Sequence, residues 1–315
     1  MEWKRAFLEA LKYLTAAEVL YTASVSRLWH SLSLSEELWV SLLGPEGLLY
    51  YSQLHPQPTL QETYRSYSSK VCYALREQAL YRYSLPLGQW TAIPLAIDWM
   101  IPPYTATLSL THHQLFALQT DGKAFIISVP SGSIDVLPAM PNTRLYPGIC
   151  LYQAYIYVFA GSNSKKCDKF SHKVGTWAQL PDCLHNRQGF NPVTHKLLIY
   201  LPSGCQESIE TFDPLTEVFN LLQCQTNLPN SSANLIFENK LIILGLPGYY
   251  ILDLDSGVGE RKNYTSNLKT AWSVYSPVLY GREAVLVWTY NDLWKLVFIN
   301  LDSFEDRYVA IPNSH

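Results

Sequence analysis

Few side chains in this sequence stand where they could do chemistry. His112 and His113 are adjacent, and neighbours on a strand point to opposite faces, so they make a poor metal pair and read as a polar turn. Asp253 and Asp255 share one strand face and would suit paired-carboxylate chemistry. Asp also starts turns, and that is the reading adopted here. Cys72, Cys150, Cys167, Cys183, Cys205 and Cys224 stand 78, 17, 16, 22 and 19 residues apart. That spacing holds no paired zinc ligands and is too sparse for a secreted disulfide scaffold, so all six are expected as buried or half-buried reduced thiols. Lys165-Lys166, beside Cys167, reads as a solvated loop tip. His-Glu-x-x-His, Walker, G-x-S-x-G and G-x-G-x-x-G patterns do not occur. The expectation is a protein that is not an enzyme and uses no metal and no cofactor.

Composition narrows the class. Only 16% of residues are charged and 48% are apolar, which argues against a disordered chain or a long solvated helix. The 22 Tyr and 9 Trp, with 19 Pro and 15 Gly, favour strands and turns. Net charge is −3, and no basic run marks a nucleic-acid stripe, so no nucleic-acid partner is expected. Residues 241–252 form the best membrane candidate, but twelve residues containing Pro247 and Gly248 fall short of the ~20 a helical span needs. Residues 1–14 carry Glu2 and Glu9, which disfavours a transit peptide. A cytoplasmic or nuclear protein, away from membranes, is the expectation.

Residues 3–43 read as three short helices. Phe7, Leu8, Leu11 and Leu14 share one helix face. Thr15 and Glu18 form a capping box for a second helix, with Val19, Leu20, Val25 and Leu28-Trp29. Ser35 begins a third, with Leu38, Trp39, Leu42 and Leu43, and Gly44-Pro45 stops it. Three such helices bury little surface alone and need a partner or neighbour to cover their apolar side. The domain is set at 1–45, with a linker over 46–58.

Beyond it lies a repeat. An apolar residue, a second one seven later and Pro four further on recur at Tyr83/Trp90/Pro94, Ile127/Ile134/Pro138 and Phe170/Trp177/Pro181. Phe212/Phe219 keeps the first step. The second anchors, Trp90, Ile134, Trp177 and Phe219, are 44, 43 and 42 residues apart, and Gly88, Gly132 and Gly175 stand five after the first. Tight turns expected at 112–113, 153–154, 194–195, 238–239 and 281–282 keep the same period. A strand-only period in the low forties predicts a β-propeller of four-stranded blades. Six blades are expected near 59–98, 104–140, 146–184, 188–225, 232–268 and 273–314. The fifth loses its aromatic anchor, and the sixth keeps Tyr308 and Pro312.

Two family resemblances follow. Tyr13-Leu14, Glu18-Val19, Val25-Ser26-Arg27-Leu28-Trp29, Leu32 and Leu38-Trp39 resemble the F-box over about 38 residues. Phe212-Asp213-Pro214 with Phe219, Phe170 with Trp177, and Arg144 and Arg187 ten after their anchors resemble the kelch repeat, without its Gly-Gly doublet. The fold class is thus mainly β: a six-bladed kelch-like β-propeller over 59–315, preceded by a small three-helix F-box-like domain. The pair implies a substrate-recognition subunit of a Skp/cullin/F-box-type ubiquitin ligase. Leu11, Leu14, Val25, Leu28, Trp29, Leu38 and Leu42 would then dock a Skp-family adaptor and, through it, a cullin. One propeller face, combining turns inside the blades with connections between them, would capture an unknown target protein through Arg76, Trp99, Tyr104, Arg144, Tyr146, Lys165, Arg187 and Asn291. Arg144 and Arg187 have an inter-blade structural role as their alternative. A non-catalytic scaffold in a large assembly is the alternative for the whole chain.

Overall fold

The computed structural model describes residues 71–85, 88–102, 105–111, 114–129, 131–202, 208–222, 228, 230–246, 248–263, 277–280, 282–290 and 293–310. The expected helices over 3–43, every adaptor-docking residue and the linker lie outside them, as do Tyr104, His112-His113 and Asn291. The chain divides into two compact units, Met1–Val71 with Tyr83–Gln89, and Cys72–Arg82 with Trp90–His315.

The described residues form 23 strands in six antiparallel sheets, the blades of a six-bladed propeller. Blade one holds β1 (Val71–Arg76), β2 (Ala79–Ser84) and β3 (Gln89–Pro94). Blade two holds β4 (Ala106–Thr111), β5 (Gln114–Leu118), β6 (Ala124–Ser128) and β7 (Ile134–Val136). Blade three holds β8 (Gly148–Tyr152), β9 (Tyr155–Gly161), β10 (Ser164–Ser171) and β11 (Thr176–Leu180). Blade four holds β12 (Val193–His195), β13 (Leu198–Leu201), β14 (Ile209–Asp213) and β15 (Val218–Leu222). Blade five holds β16 (Asn230–Phe237), β17 (Lys240–Leu246), β18 (Gly248–Asp253) and β19 (Gly259–Asn263). Blade six holds β20 (Val278–Tyr280), β21 (Glu283–Tyr290), β22 (Leu293–Asn300) and β23 (Asp306–Ala310). Each sheet runs in chain order. By their anchors, β1–β3 match the second to fourth strands of the other blades.

First strands of neighbouring blades touch, β4 on β8, β8 on β12 and β12 on β16, so they line the inner side. The middle strands are buried on both faces, as in β9, where six residues after Tyr155 are all buried. Fourth strands such as β7, β11 and β15 are mostly exposed. Apolar clusters fill the gaps between blades. Phe116, Ile156 and Phe170 join blades two and three; Phe159, Ile199 and Phe212 join three and four. Tyr200, Leu241 and Leu252 join four and five; Leu244, Tyr249 and Leu286 join five and six.

The seven-residue step is a cross-strand pair. Ile127 faces Ile134, Phe170 faces Trp177 and Phe212 faces Phe219 across the third and fourth strands. The ring centroids of the last two pairs are 5.0 and 4.6 Å apart. In every blade the turn between these strands carries a left-handed residue whose N–H donates to the carbonyl four residues back: Gly88, Gly132, Gly175, Glu217, Gly257 and Phe304. The accepting residues are Ser84, Ser128, Ser171, Asp213, Asp253 and Asn300, at 2.7–2.9 Å. Four of these also cap the turn with their side chains, for example Asp213 Oδ1 accepting from Leu215 N at 2.9 Å.

Register corrects two expectations and agrees with a third, the loss of the aromatic anchor in blade five. The blade-five anchor is Leu252 paired with Gly259, and Tyr250 fills the room, because a Cβ on Gly259 would overlap its hydroxyl. The blade-six pair is Ile299 with Asp306, two residues before Tyr308, which is exposed. The first turn of blade four is Lys196-Leu197, with Lys196 at φ 54°, while Thr194 and His195 end β12. Their apolar neighbours fit either register, and the left-handed residue decides it.

One turn position tests blade-to-blade packing. A Cβ on Gly132 would overlap the Pro94 carbonyl of blade one, whereas one on Gly175 meets nothing within 4 Å. Gly175→Ala should cost about 1–2 kcal/mol, the left-handed penalty alone. Gly132→Ala should cost a further ~1–3 kcal/mol of overlap. Urea unfolding of the two variants checks the difference.

Candidate interaction face

Fourth-to-first connections and second-to-third turns lie on one side of the propeller, and backbone bonds tie them together. Ile101 N donates to Glu77 O at 3.0 Å, Ser162 N to Leu145 O at 2.8 Å and Gly189 N to Tyr146 O at 3.1 Å. These bonds join connections to turns and, through Tyr146, one connection to the next.

Buried carboxylates hold the connections from beneath. Asp168 on β10 pairs with Arg144 Nη1 at 2.8 Å, both side chains almost wholly inaccessible. Asn142 Nδ2 also donates to it at 3.2 Å, and Arg144 Nη2 donates to Val158 O at 3.1 Å. Glu210 on β14 does the same one blade on. It accepts from Arg187 Nε at 3.1 Å, Arg187 Nη2 at 3.0 Å, Leu184 N at 2.8 Å and His185 N at 2.9 Å, with His185 Nδ1 at 2.8 Å. A buried charge is tolerable only when so completely matched. Asn191 and Asn234 add a reciprocal link between blades, with Asn191 Nδ2 donating to Asn234 O and Asn234 N to Asn191 Oδ1.

Arg144 and Arg187 therefore sit inside the propeller, at 5% and 1% exposure, and their guanidinium groups are spent on Asp168 and Glu210. They cannot reach a target, and the inter-blade alternative describes them. Trp99 is 38% exposed on the β3–β4 connection, and Tyr146 is half-buried at φ 53°. Arg76 closes β1. Lys165 and Lys166 are strand residues of β10, because the loop there is only Ser162-Asn163. Lys165 Nζ donates to Leu184 O at 2.7 Å, and Lys166 pairs with Asp182 at 3.2 Å.

Sequence reasoning missed two groups. Asp168 and Glu210 each stand two before an anchor, Phe170 and Phe212, while Phe125 and Tyr250 hold that place in blades two and five. An acid there, with Arg ten after the preceding anchor, was the available signal. The second group is the exposed apolar set Met100, Leu145 and Leu184, at 58, 48 and 39% exposure, one on each of three successive connections beside Trp99.

Asp253 and Asp255 do not share a strand face, because β18 ends at Asp253 and Asp255 lies in the turn; Asp253 caps that turn, its Oδ1 accepting from Asp255 N, Ser256 N and Ser256 Oγ. Those hydrogen bonds, the Ser256 N–H first, lower the Asp253 pKa from its ordinary value. Among the described residues no cluster of three His, Cys, Asp or Glu is placed to hold a metal ion. Cys72, Cys150, Cys167 and Cys183 are buried and free, and burial pushes Cys72 up to about 12. Cys205 and Cys224 lie outside the described residues.

Removing one partner of the deepest pair should expose its role. Arg187→Ala strands Glu210 and is expected to cost about 3–5 kcal/mol. Adding Glu210→Gln, which removes the stranded charge while its single carbonyl oxygen still accepts one of the Leu184 and His185 N–H groups, should recover about 1 kcal/mol or more. Denaturant midpoints of the single and double variants measure it.

No protein-family model matches the chain, and no curated protein matches it.

Proposed function

We propose that the chain is a non-catalytic recognition subunit of a Skp/cullin/F-box-type ubiquitin ligase. The β-propeller, a fold commonly used as a protein-interaction scaffold, supports the coarser half of this reading. The observation that carries it is the run of exposed Trp99, Met100, Leu145 and Leu184 on three successive connections, the last two of them pinned by buried carboxylates. Aromatic and Met side chains are enriched at protein interfaces, and rigid loops lose little freedom on binding. The finer half rests on the F-box-like pattern from Tyr13-Leu14 to Leu38-Trp39. On this reading the protein transfers no group; ubiquitin arrives from another subunit, and the target is held by the propeller in the cytoplasm or nucleus.

Co-purification from the native host separates the halves. A Skp-like adaptor should accompany the intact chain, and Leu11→Asp with Leu14→Asp should abolish its recovery. Leu145→Asp with Leu184→Asp should leave the adaptor bound and remove the remaining specific partners. Absence of any adaptor with intact protein overturns the ligase reading and leaves an architectural subunit.

A further inference from the structure

Cys167 and Cys183 come together although the strand β11 and two connections separate them in the chain. Cys167 is on β10, and Cys183 is on the β11–β12 connection. Both sulfurs reach the same oxygen, the Lys165 carbonyl, at 3.4 and 3.2 Å, which sets them side by side. Cys183 N also donates to Lys165 O at 2.9 Å, and its thiol to His185 O at 2.9 Å. The pair adjoins both buried ion pairs, since Cys167 precedes Asp168 on β10 and Cys183 precedes Leu184 and His185, whose N–H groups Glu210 binds.

The geometry points to a redox site: Cys167 and Cys183 close to a disulfide when a peroxide oxidises them. Cys167, as thiolate, attacks one peroxide oxygen, the O–O bond breaks, and a sulfenic acid and, after protonation, water form. Cys183 loses its proton to solvent and attacks that sulfur; the S–S bond forms, the S–O bond breaks, and a second water leaves. Two thiols and one hydrogen peroxide thus give a disulfide and two waters, each sulfur losing one electron and the peroxide gaining two.

The surroundings assign the roles. Burial opposes ionisation of Cys167, but the polar groups of Cys183 and Ala160 beside it, with the Arg144 charge, outweigh it and lower its pKa. Cys183 shifts the other way, first through its neighbour Cys167 and then through burial, and so keeps its proton. A nucleophile beside a resolving thiol is the arrangement of a redox-sensing pair. Both thiols are buried, so a peroxide reaches them through local opening of the connection, where Asp182 and Leu184 flank Cys183 and are both exposed. Cross-linking ties the segment that presents Leu184 to β10; that this tunes target capture rests on the recognition reading, whereas the thiol chemistry does not.

Intact full-length protein treated with hydrogen peroxide, then alkylated under denaturing conditions and digested with trypsin, tests it. The expected product is the 167–169 peptide joined to the 174–187 peptide, lighter by two hydrogens than their sum and separated again by dithiothreitol. Cys183→Ser should instead leave Cys167 as a trappable sulfenic acid. Recovery of both peptides alkylated, either one as sulfinic acid, or Cys167 joined to another cysteine overturns the proposal. Because no adaptor or target enters the assay, its failure is distinct from failure of the ligase reading.

Discussion

Each blade is a sheet whose middle strands are apolar on both faces, and everything else follows from the need to cover two faces at once. An antiparallel sheet commonly leaves one face to water. Here β9 and its equivalents bury successive side chains, so each sheet needs a neighbour on either side. Phe116 against Phe170 and Tyr157 against Phe212, at 6.5 and 5.9 Å, are the same contact made one blade apart. A radial array gives every sheet two neighbours and leaves only the short fourth strands as edges.

That array reuses a backbone geometry more faithfully than a residue. Gly fills the left-handed turn position in four blades, but Glu217 and Phe304 occupy it in two. A non-glycine residue there is strained. Phe304 offsets the strain by stacking on Tyr249 across blades, with centroids 3.8 Å apart and rings nearly parallel. Glu217 pairs with Lys169 of the preceding blade at 2.5 Å. The outer edge is stitched in the same way: Trp177 Nε1 donates to Pro138 O at 2.8 Å, joining an anchor of blade three to the repeated proline of blade two.

The face above these sheets depends on charge placed below it. Asp168 and Glu210 draw the connections down with guanidinium and amide hydrogen bonds, and the apolar residues between those bonds are left pointing outward. Leu184 is exposed while its own N–H is bound to a buried carboxylate. The sulfur pair adjoins both networks, and its two thiols shift in opposite directions chiefly through burial and each other.

Periodicity alone was enough to count the blades and to place their third and fourth strands, because a turn of constant length makes the facing pair a fixed sequence step. Phe170/Trp177 and Phe212/Phe219 were legible for that reason, as was Asp253 as a turn former. The Leu252/Gly259 and Ile299/Asp306 pairs were not, since a neighbouring side chain, Tyr250, or a stacked ring, Phe304, stands in for the missing signal. Arg144 and Arg187 had the right spacing and two possible destinies. Only the acids brought beneath them by the next sheet decided that they turn inward, because a guanidinium between two apolar blades is stable only where a carboxylate from a distant strand meets it. The approach of Cys167 and Cys183 was decided at the same level: chain separation sets no distance between a strand and a connection that folds back across its end.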